Sequence, residues 1–386
     1  MSNFVLPRAT FLEDEDFTMF ADMVKRFLAV HMPAERVSEW REAGLVDRAL
    51  WREAGAAGLL GVSIPAEYGG AGGDFRHEMV LAEALGHAGV EGWDITLHNA
   101  VVAPYVTSFG TEEQKQRWLP KICSGEMVLA VAMTEPGTGS DLQSIRTQAR
   151  IDGNEVVISG SKTFITNGQH ADLILVVARL DGEPGAKGIA LFAVETADAP
   201  GFERGTNLEK IGREYGDTSE LFFNDVRVPL ENMLGAPGAG FGMLMAKLPQ
   251  ERLIIAIQSL AAIEYVISLT VAYVKERKAF GKAIFDFQNS QFVLAECKTQ
   301  AMAVRALIER CTELHLNDQL DSATASAAKL FATEQQGIIV DRCLQLFGGY
   351  GYMSEYPIAQ AYKDARVTRI YGGTSEIMKL LIARSL

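Results

Sequence analysis

The 386-residue chain has no run of 18 apolar residues, so no segment reads as a membrane-spanning helix. Cysteines are few (Cys123, Cys297, Cys311, Cys343) and none forms a CxxC pair. That excludes a disulfide scaffold and points to reduced, core-filling thiols. The six histidines include no pair three to five residues apart, so no metal site is expected. Positive charge is in deficit: 36 basic against 49 acidic residues leave a formal charge of −13. This opposes a nucleic-acid surface but allows a local pocket for an anionic ligand. The opening residues, MSNFVLPRATFLEDEDF, are acidic rather than basic and apolar. Neither a secretory signal nor an Arg-rich transit peptide is expected, and the reading is a cytoplasmic protein. A dinucleotide fingerprint is also missing, because Gly137-Thr138-Gly139 meets Leu142 where a third glycine belongs. Two SxxK pairs, Ser159–Lys162 and Ser326–Lys329, leave a serine hydrolase as a rival class. Its Ser-Asp-Asn and Lys-Thr-Gly partners are lacking.

What is present is an ordinary globular balance, 48% apolar and 22% charged, at a length that suits two or three domains. Three textures follow one another. Residues 1–125 read as amphipathic helices broken by a glycine-rich loop at 67–73. Residues 126–235 hold short β-branched or apolar runs at 127–133, 155–159, 173–178, 189–194 and 220–226. They predict a small antiparallel β-domain with a hairpin turn at Asp152-Gly153-Asn154. Residues 236–386, after a glycine-rich linker at 235–242, place Leu253, Ala256, Leu260, Ile263, Ile267, Val271 and Val274 on one helical face. Leu294, Cys297, Ala301, Val304, Ile308 and Cys311 repeat that pattern, as a helical bundle requires. The expected fold is mostly α with a central β-domain.

Four segments carry more than composition. They are Met133-Thr134-Glu135-Pro136-Gly137-Thr138-Gly139-Ser140-Asp141, then Gly160-Ser161-Lys162-Thr163-Phe164-Ile165-Thr166-Asn167-Gly168, then Arg277-Lys278-Ala279-Phe280-Gly281-Lys282. The last runs from Gln345-Leu346-Phe347-Gly348-Gly349-Tyr350 through Asp364-Ala365-Arg366 to Tyr371-Gly372-Gly373-Thr374-Ser375-Glu376. In this order and spacing they resemble the acyl-CoA dehydrogenase family along nearly the whole chain, and in motif detail its long-chain type. The resemblance implies a helical domain, a β-domain and a four-helix bundle. It implies FAD as cofactor, acyl-CoA as substrate, an electron-transfer flavoprotein as partner, and a homotetramer built as a dimer of dimers. By the same resemblance Val131, Met133 and Thr134 lie along the flavin, with Phe164 and Thr166 on its other side. Ser140 meets FAD and CoA phosphates. Arg277, Phe280, Gln288, Gln345, Gly348 and Gly349 serve the FAD of a neighbouring subunit, and Thr374 and Glu376 match a Thr-x-Glu cofactor contact. Phe164 stands where many relatives have Trp, so a ring face is kept and an N–H donor lost.

The resemblance also exposes a departure. Most relatives carry a catalytic Glu in Tyr-Glu-Gly-Thr, and here the sequence is Tyr371-Gly372-Gly373-Thr374. Dehydrogenation across C2 and C3 of a thioester needs a base for the C2 proton, while flavin N5 takes hydride from C3. Glu251, in Leu248-Pro249-Gln250-Glu251-Arg252, is the candidate. It reads as a first-turn residue of a helix opened by Pro249, with the helix N-terminus and Arg252 favouring its charged form and burial opposing it. Arg252, Gly372 and Gly373 are expected at the substrate wall, and Asp364 is expected to pair with Arg366. Alternatives within the fold are a branched-chain acyl-CoA dehydrogenase or an acyl-CoA oxidase. From another class come a non-catalytic CoA-binding homologue, or a hydrolase using Ser326 or Ser159.

Overall fold

The computed structural model describes Phe4, Leu6, Pro7 and residues 9–386. Six helices come first: α1 (Glu15–His31), α2 (Ala34–Ala43), α3 (Arg48–Ala56), α4 (Phe75–His87), α5 (Ala103–Phe109) and α6 (Glu112–Ser124). Local chemistry starts and stops them. Asp74 with His77, and Thr111 with Gln114, form reciprocal capping boxes on α4 and α6, and Gly125 ends α6 with φ 77°. Between α4 and α5 the chain makes a π-helical stretch, Leu97–Val102.

Eight strands follow: β1 (Leu129–Ala132), β2 (Gln148–Asp152), β3 (Glu155–Thr166), β4 (Leu173–Leu180), β5 (Ile189–Glu195), β6 (Phe202–Asn207), β7 (Thr218–Pro229) and β8 (Met233–Leu234). They form one sheet in the order β6-β7-β3-β2-β4-β5-β8, with β1 added beside β4. Most pairings are antiparallel, but β1 and β2 both run parallel to β4, at successive positions along it. The hairpin expected at 152–154 joins β2 to β3, with Gly153 at φ 65°. β4 is buried on both faces. Leu173, Leu175 and Val177 enter the core shared with the helices, while Ile174, Val176 and Ala178 enter a second core inside the β-domain.

The last third is helical: α7 (Gly240–Glu276), then a small hairpin of β9 (Lys278–Ala279) and β10 (Lys282–Ala283), then α8 (Gln288–Leu316), α9 (Ser322–Phe347), α10 (Pro357–Ala365) and α11 (Ser375–Ala383). α7 packs on α4, α8 and α9, and α10 and α11 close against α9. By length and composition α7 passes as a membrane span, although no unbroken 18-residue apolar run marks it; here 72% of its most apolar window is buried in the protein. One expectation needs correcting. α7 does not open at Pro249 but at Gly240, and Pro249 lies inside it. Glu251 is therefore a mid-helix residue, and the helix N-terminus does not act on it.

Candidate active site

Glu251 and Gly372 occupy facing walls. A Cβ built on Gly372 would lie 3.6 Å from Glu251 Oε1 and 2.4 Å from Ile255 Cδ1. Glu251 is partly buried, and its Oε2 is sealed from solvent with no hydrogen-bond partner among the described residues. Burial raises its pKa above the ordinary carboxylate range, against the pull of Arg252 and Lys329. Of the competing effects anticipated from sequence, burial wins. Its neighbour Gln250 donates to the Ala100 carbonyl at 2.7 Å, tying α7 to the π-helical stretch. The Arg252 guanidinium is buried and donates to Ser322 Oγ at 2.9 Å, so it braces α7 against the start of α9.

The facing wall is the turn from Tyr371 to Thr374. Gly372 and Gly373 have φ 62° and 96°, backbone that side chains rarely adopt. Thr374 caps α11 by accepting from the Ile377 amide at 3.3 Å, and Glu376 is exposed. Lys329 donates to the Gly373 carbonyl at 2.8 Å from beneath. Tyr371 is held by Arg213, whose Nη1 donates to its hydroxyl at 3.3 Å while Nη2 donates to Asp94 at 2.6 Å. The expected Asp364–Arg366 pair does not form. Asp364 accepts from the Arg213 amide and from Gln360, and Arg366 is exposed, because the buried Arg213 loop needs that carboxylate more than the surface does.

The strand edge is built by β1 and β3. His98 sets the start of β1: its Nδ1 accepts from the Leu129 amide at 3.2 Å, which leaves Nε2–H to donate to the Ile122 carbonyl at 3.3 Å. Val131, Met133 and Thr134 emerge partly buried, and the Thr163 amide donates to the Thr134 carbonyl at 2.9 Å. This joins the two segments that carry Thr134 and Phe164. Phe164 has φ 58° and is 66% exposed, a strained aromatic with an open face. Thr166 is partly buried beyond it, and Ser140 is exposed in the glycine turn. Beneath the turn lies a pair that sequence reasoning missed. Glu135 accepts from the Arg146 and Thr147 amides at 2.6 and 2.9 Å, and from Lys162 Nζ at 2.9 Å. Burial brings Lys162 down to about 8, while Glu135 opposes the fall.

Both SxxK pairs are engaged elsewhere. Ser326 donates to Ser322 within its own helix, and Ser159 donates to Asp225 at 2.6 Å. Neither hydroxyl faces its lysine, which removes the geometry a serine hydrolase needs.

Most of the remaining predicted residues belong to a different part of the fold, the C-terminal bundle. Arg277, Gln345, Gly348 and Gly349 line a groove of about 620 Å³ with Tyr273 and Tyr350, and none of Val131, Met133, Thr134, Ser140, Phe164 or Thr166 lines it. The Arg277 guanidinium lies 5.4 Å from the Tyr350 ring centre. Phe280 sits 95% exposed at the tip of the β9–β10 hairpin, and Gln288 is exposed at the start of α8.

A helix–sheet–bundle fold, a partly buried carboxylate facing a glycine turn, and an exposed aromatic on a strand edge are the features to set beside known proteins. Models of the acyl-CoA dehydrogenase N-terminal, middle and C-terminal domains match residues 14–126, 130–226 and 238–386. The long-chain specific acyl-CoA dehydrogenase of Rattus norvegicus mitochondria is 45% identical over 381 residues, covering 98% of this chain and 88% of its own. The acyl-CoA dehydrogenase structure from Geobacillus kaustophilus superposes with TM-score 0.94 at 45% identity, covering 98% and 99% of the two chains. A chain of the Acidaminococcus fermentans electron transferring flavoprotein structure gives 0.92 at 36% identity, covering 98% and 99%. The chain belongs to the acyl-CoA dehydrogenase family. It is an FAD-dependent enzyme that dehydrogenates acyl-CoA.

Proposed function

We propose that the substrate is a medium- or long-chain acyl-CoA, that Glu251 removes its C2 proton, and that an electron-transfer flavoprotein accepts the electrons. The observation that carries this reading is the facing of Glu251 and Gly372 across one gap. The residues present fit FAD: an exposed, strained Phe164 ring beside the Thr134 edge, and a groove at Arg277 with a fixed fork of donors for a pyrophosphate. When bound, FAD supplies the electron acceptor for the dehydrogenation. The chain's own part is proton chemistry and placement. A carboxylate with one oxygen sealed from water and unpartnered among the described residues has raised proton affinity, which suits a weakly acidic C2–H. Gly372 adds only backbone to the facing wall, so the thioester passes without a side chain in the way. The long-chain name of the rat relative and the flavoprotein name of the Acidaminococcus structure support the chain length and the partner. We place the enzyme in the cytoplasm as a homotetramer, its exposed Arg277 groove completing the site of a neighbour.

Glu251→Gln keeps size and hydrogen bonding. It should bind FAD and acyl-CoA yet reduce its flavin at least about 10²-fold more slowly in a single turnover, about 2.7 kcal/mol of barrier. Reduction at the wild-type rate would place the base elsewhere. Running wild type over straight and branched acyl-CoAs fixes the chain class, and sluggish reaction of the reduced enzyme with oxygen separates a dehydrogenase from an oxidase.

A further inference from the structure

α9 carries a lysine with no solvent exposure, Lys329, whose Nζ donates to the Gly373 carbonyl at 2.8 Å. Gly373 adjoins Gly372, and Gly372 faces Glu251. The ammonium and the carboxylate therefore both border the 372–373 turn, and each feels the other's charge. The charged groups that act on Lys329 are Arg252 and Glu251 from α7 and Glu334 from its own helix. Glu251 in turn feels Arg252 and Lys329, and its charge reaches the buried Tyr105 on α5. A neutral amide would reach the Gly373 carbonyl at a far smaller desolvation cost than an ammonium. What the charge adds is a fixed field at Glu251.

We propose that Lys329 is a positioning residue for the dehydrogenation: it clamps the turn at 372 and 373 and keeps a positive charge within electrostatic reach of Glu251, so that turn and carboxylate keep their mutual placement around the thioester. The proposal rests on Glu251 being the base. The clamp acts through the Gly373 carbonyl and the charge acts through Glu251, so two variants separate them. Burial brings Lys329 down to about 8, so the wild-type enzyme itself loses this charge in an accessible pH range.

The test uses the FAD-loaded, full-length protein with Lys329→Gln, Lys329→Met and Lys329→Arg. Three things are measured: single-turnover flavin reduction from pH 5.5 to about 9 (around the value to which burial moves Lys329), enoyl-CoA affinity from the flavin spectral shift, and thermal stability. Lys329→Gln keeps a donor and loses the charge. Its enoyl-CoA affinity should stay within about 3-fold of wild type, while the acid limb of the rate moves up by about one pH unit as Glu251 binds its proton more tightly. Lys329→Met loses both functions, so it should show the same limb shift and a further rate loss of about 10²-fold as the turn drifts. Lys329→Arg keeps the charge and the wild-type limb. An unmoved acid limb in Lys329→Gln overturns the proposal. If neither Lys329→Gln nor Lys329→Met retains FAD, a Lys329→Arg acid limb displaced from the wild-type position overturns it equally. The underlying reading fails separately: Glu251→Gln with undiminished reduction removes the base, whereas inactive Glu251→Gln with an unmoved limb in Lys329→Gln removes this proposal alone.

Discussion

Gly372 is required twice over, by its φ of 62° and by the space it leaves for Ile255 and Glu251. An L-residue there adopts left-handed backbone at about 1–2 kcal/mol, and its Cβ would drive Ile255 Cδ1 aside. Moving the carboxylate back to the loop thus takes more than one change. Gly372→Glu on a Glu251→Gln background should recover little flavin reduction, and adding Ile255→Val, which deletes the obstructing methyl, should recover more. Equal rates in the double and triple variants would show that Ile255 is no obstacle. Glu251 also carries a stability signature. Its folded pKa is raised by burial, so its contribution is complete below the unfolded value of about 4.3 and is lost as pH rises through the folded one. The Tm of Glu251→Gln relative to wild type should therefore climb as pH rises from about 4.3 through the raised folded value, and thermal scans upward from that pH check it. A gap that narrows would mean that Arg252 and Lys329 outweigh burial. The sequence named Glu251 and Gly372 because a missing carboxylate in a familiar string demands a replacement. It named Lys329 only in the Ser326–Lys329 pair and not at the glycine turn, because its partner lies 44 residues away and is a backbone carbonyl. Backbone acceptors leave no trace in side-chain patterns.

Elements were legible in proportion to how fully they are buried. β4 and β5, apolar on both faces, stand out as unbroken runs. β2, with one buried residue among five, and β6, Phe-Glu-Arg-Gly-Thr-Asn, do not, although both are needed to complete the sheet. The start of α7 was misread because Pro249 resembles a first-turn proline, whereas the fold tolerates it within a 37-residue helix. The glycine turn after β1 is stiffened by the buried Glu135–Lys162 pair, made across 27 residues and invisible in the motif itself. Lys162 is 1% exposed and also donates to the Met133 carbonyl at 2.9 Å. Replacing it with Met leaves a buried carboxylate with two backbone donors and no counter-charge, at a cost of about 3–5 kcal/mol. Urea unfolding of Lys162→Met should show that loss, and flavin content should fall with it because Met133 and Thr134 lose their anchor. Wild-type stability would mean that the Arg146 and Thr147 amides alone satisfy Glu135.

At the scale of the whole molecule, the proposed cofactor residues fall into two sets that one chain does not unite. The strand edge of Val131, Met133, Thr134, Phe164 and Thr166 lies in the β-domain, whereas Arg277, Gln345, Gly348 and Gly349 line a groove at the end of the bundle. Phe280 and Tyr352, each next in sequence to a residue lining that groove, stand almost fully open, and Phe292 and Met302 on α8 and Ile338 on α9 are exposed elsewhere on the bundle. Apolar surface of this extent beside an arginine groove fits a second copy of the chain, which would bring each groove to its neighbour's strand edge. FAD retention and assembly should then be one equilibrium. If Arg277 holds the pyrophosphate as proposed, Arg277→Ala would remove a charge-assisted contact worth about 1.5–3 kcal/mol, or roughly a 10- to 150-fold weaker hold on FAD. It leaves the Glu251 wall untouched, so acyl-CoA should still reduce whatever flavin stays bound, at the wild-type single-turnover rate. Light scattering and flavin absorbance, followed together on dilution, should show yellow colour and oligomer mass disappearing in the same concentration range. That range should lie at higher protein concentration for Arg277→Ala than for wild type. A stable monomer that keeps its full complement of FAD would break the link, because a site finished within one chain has no use for a groove at the far end of the bundle.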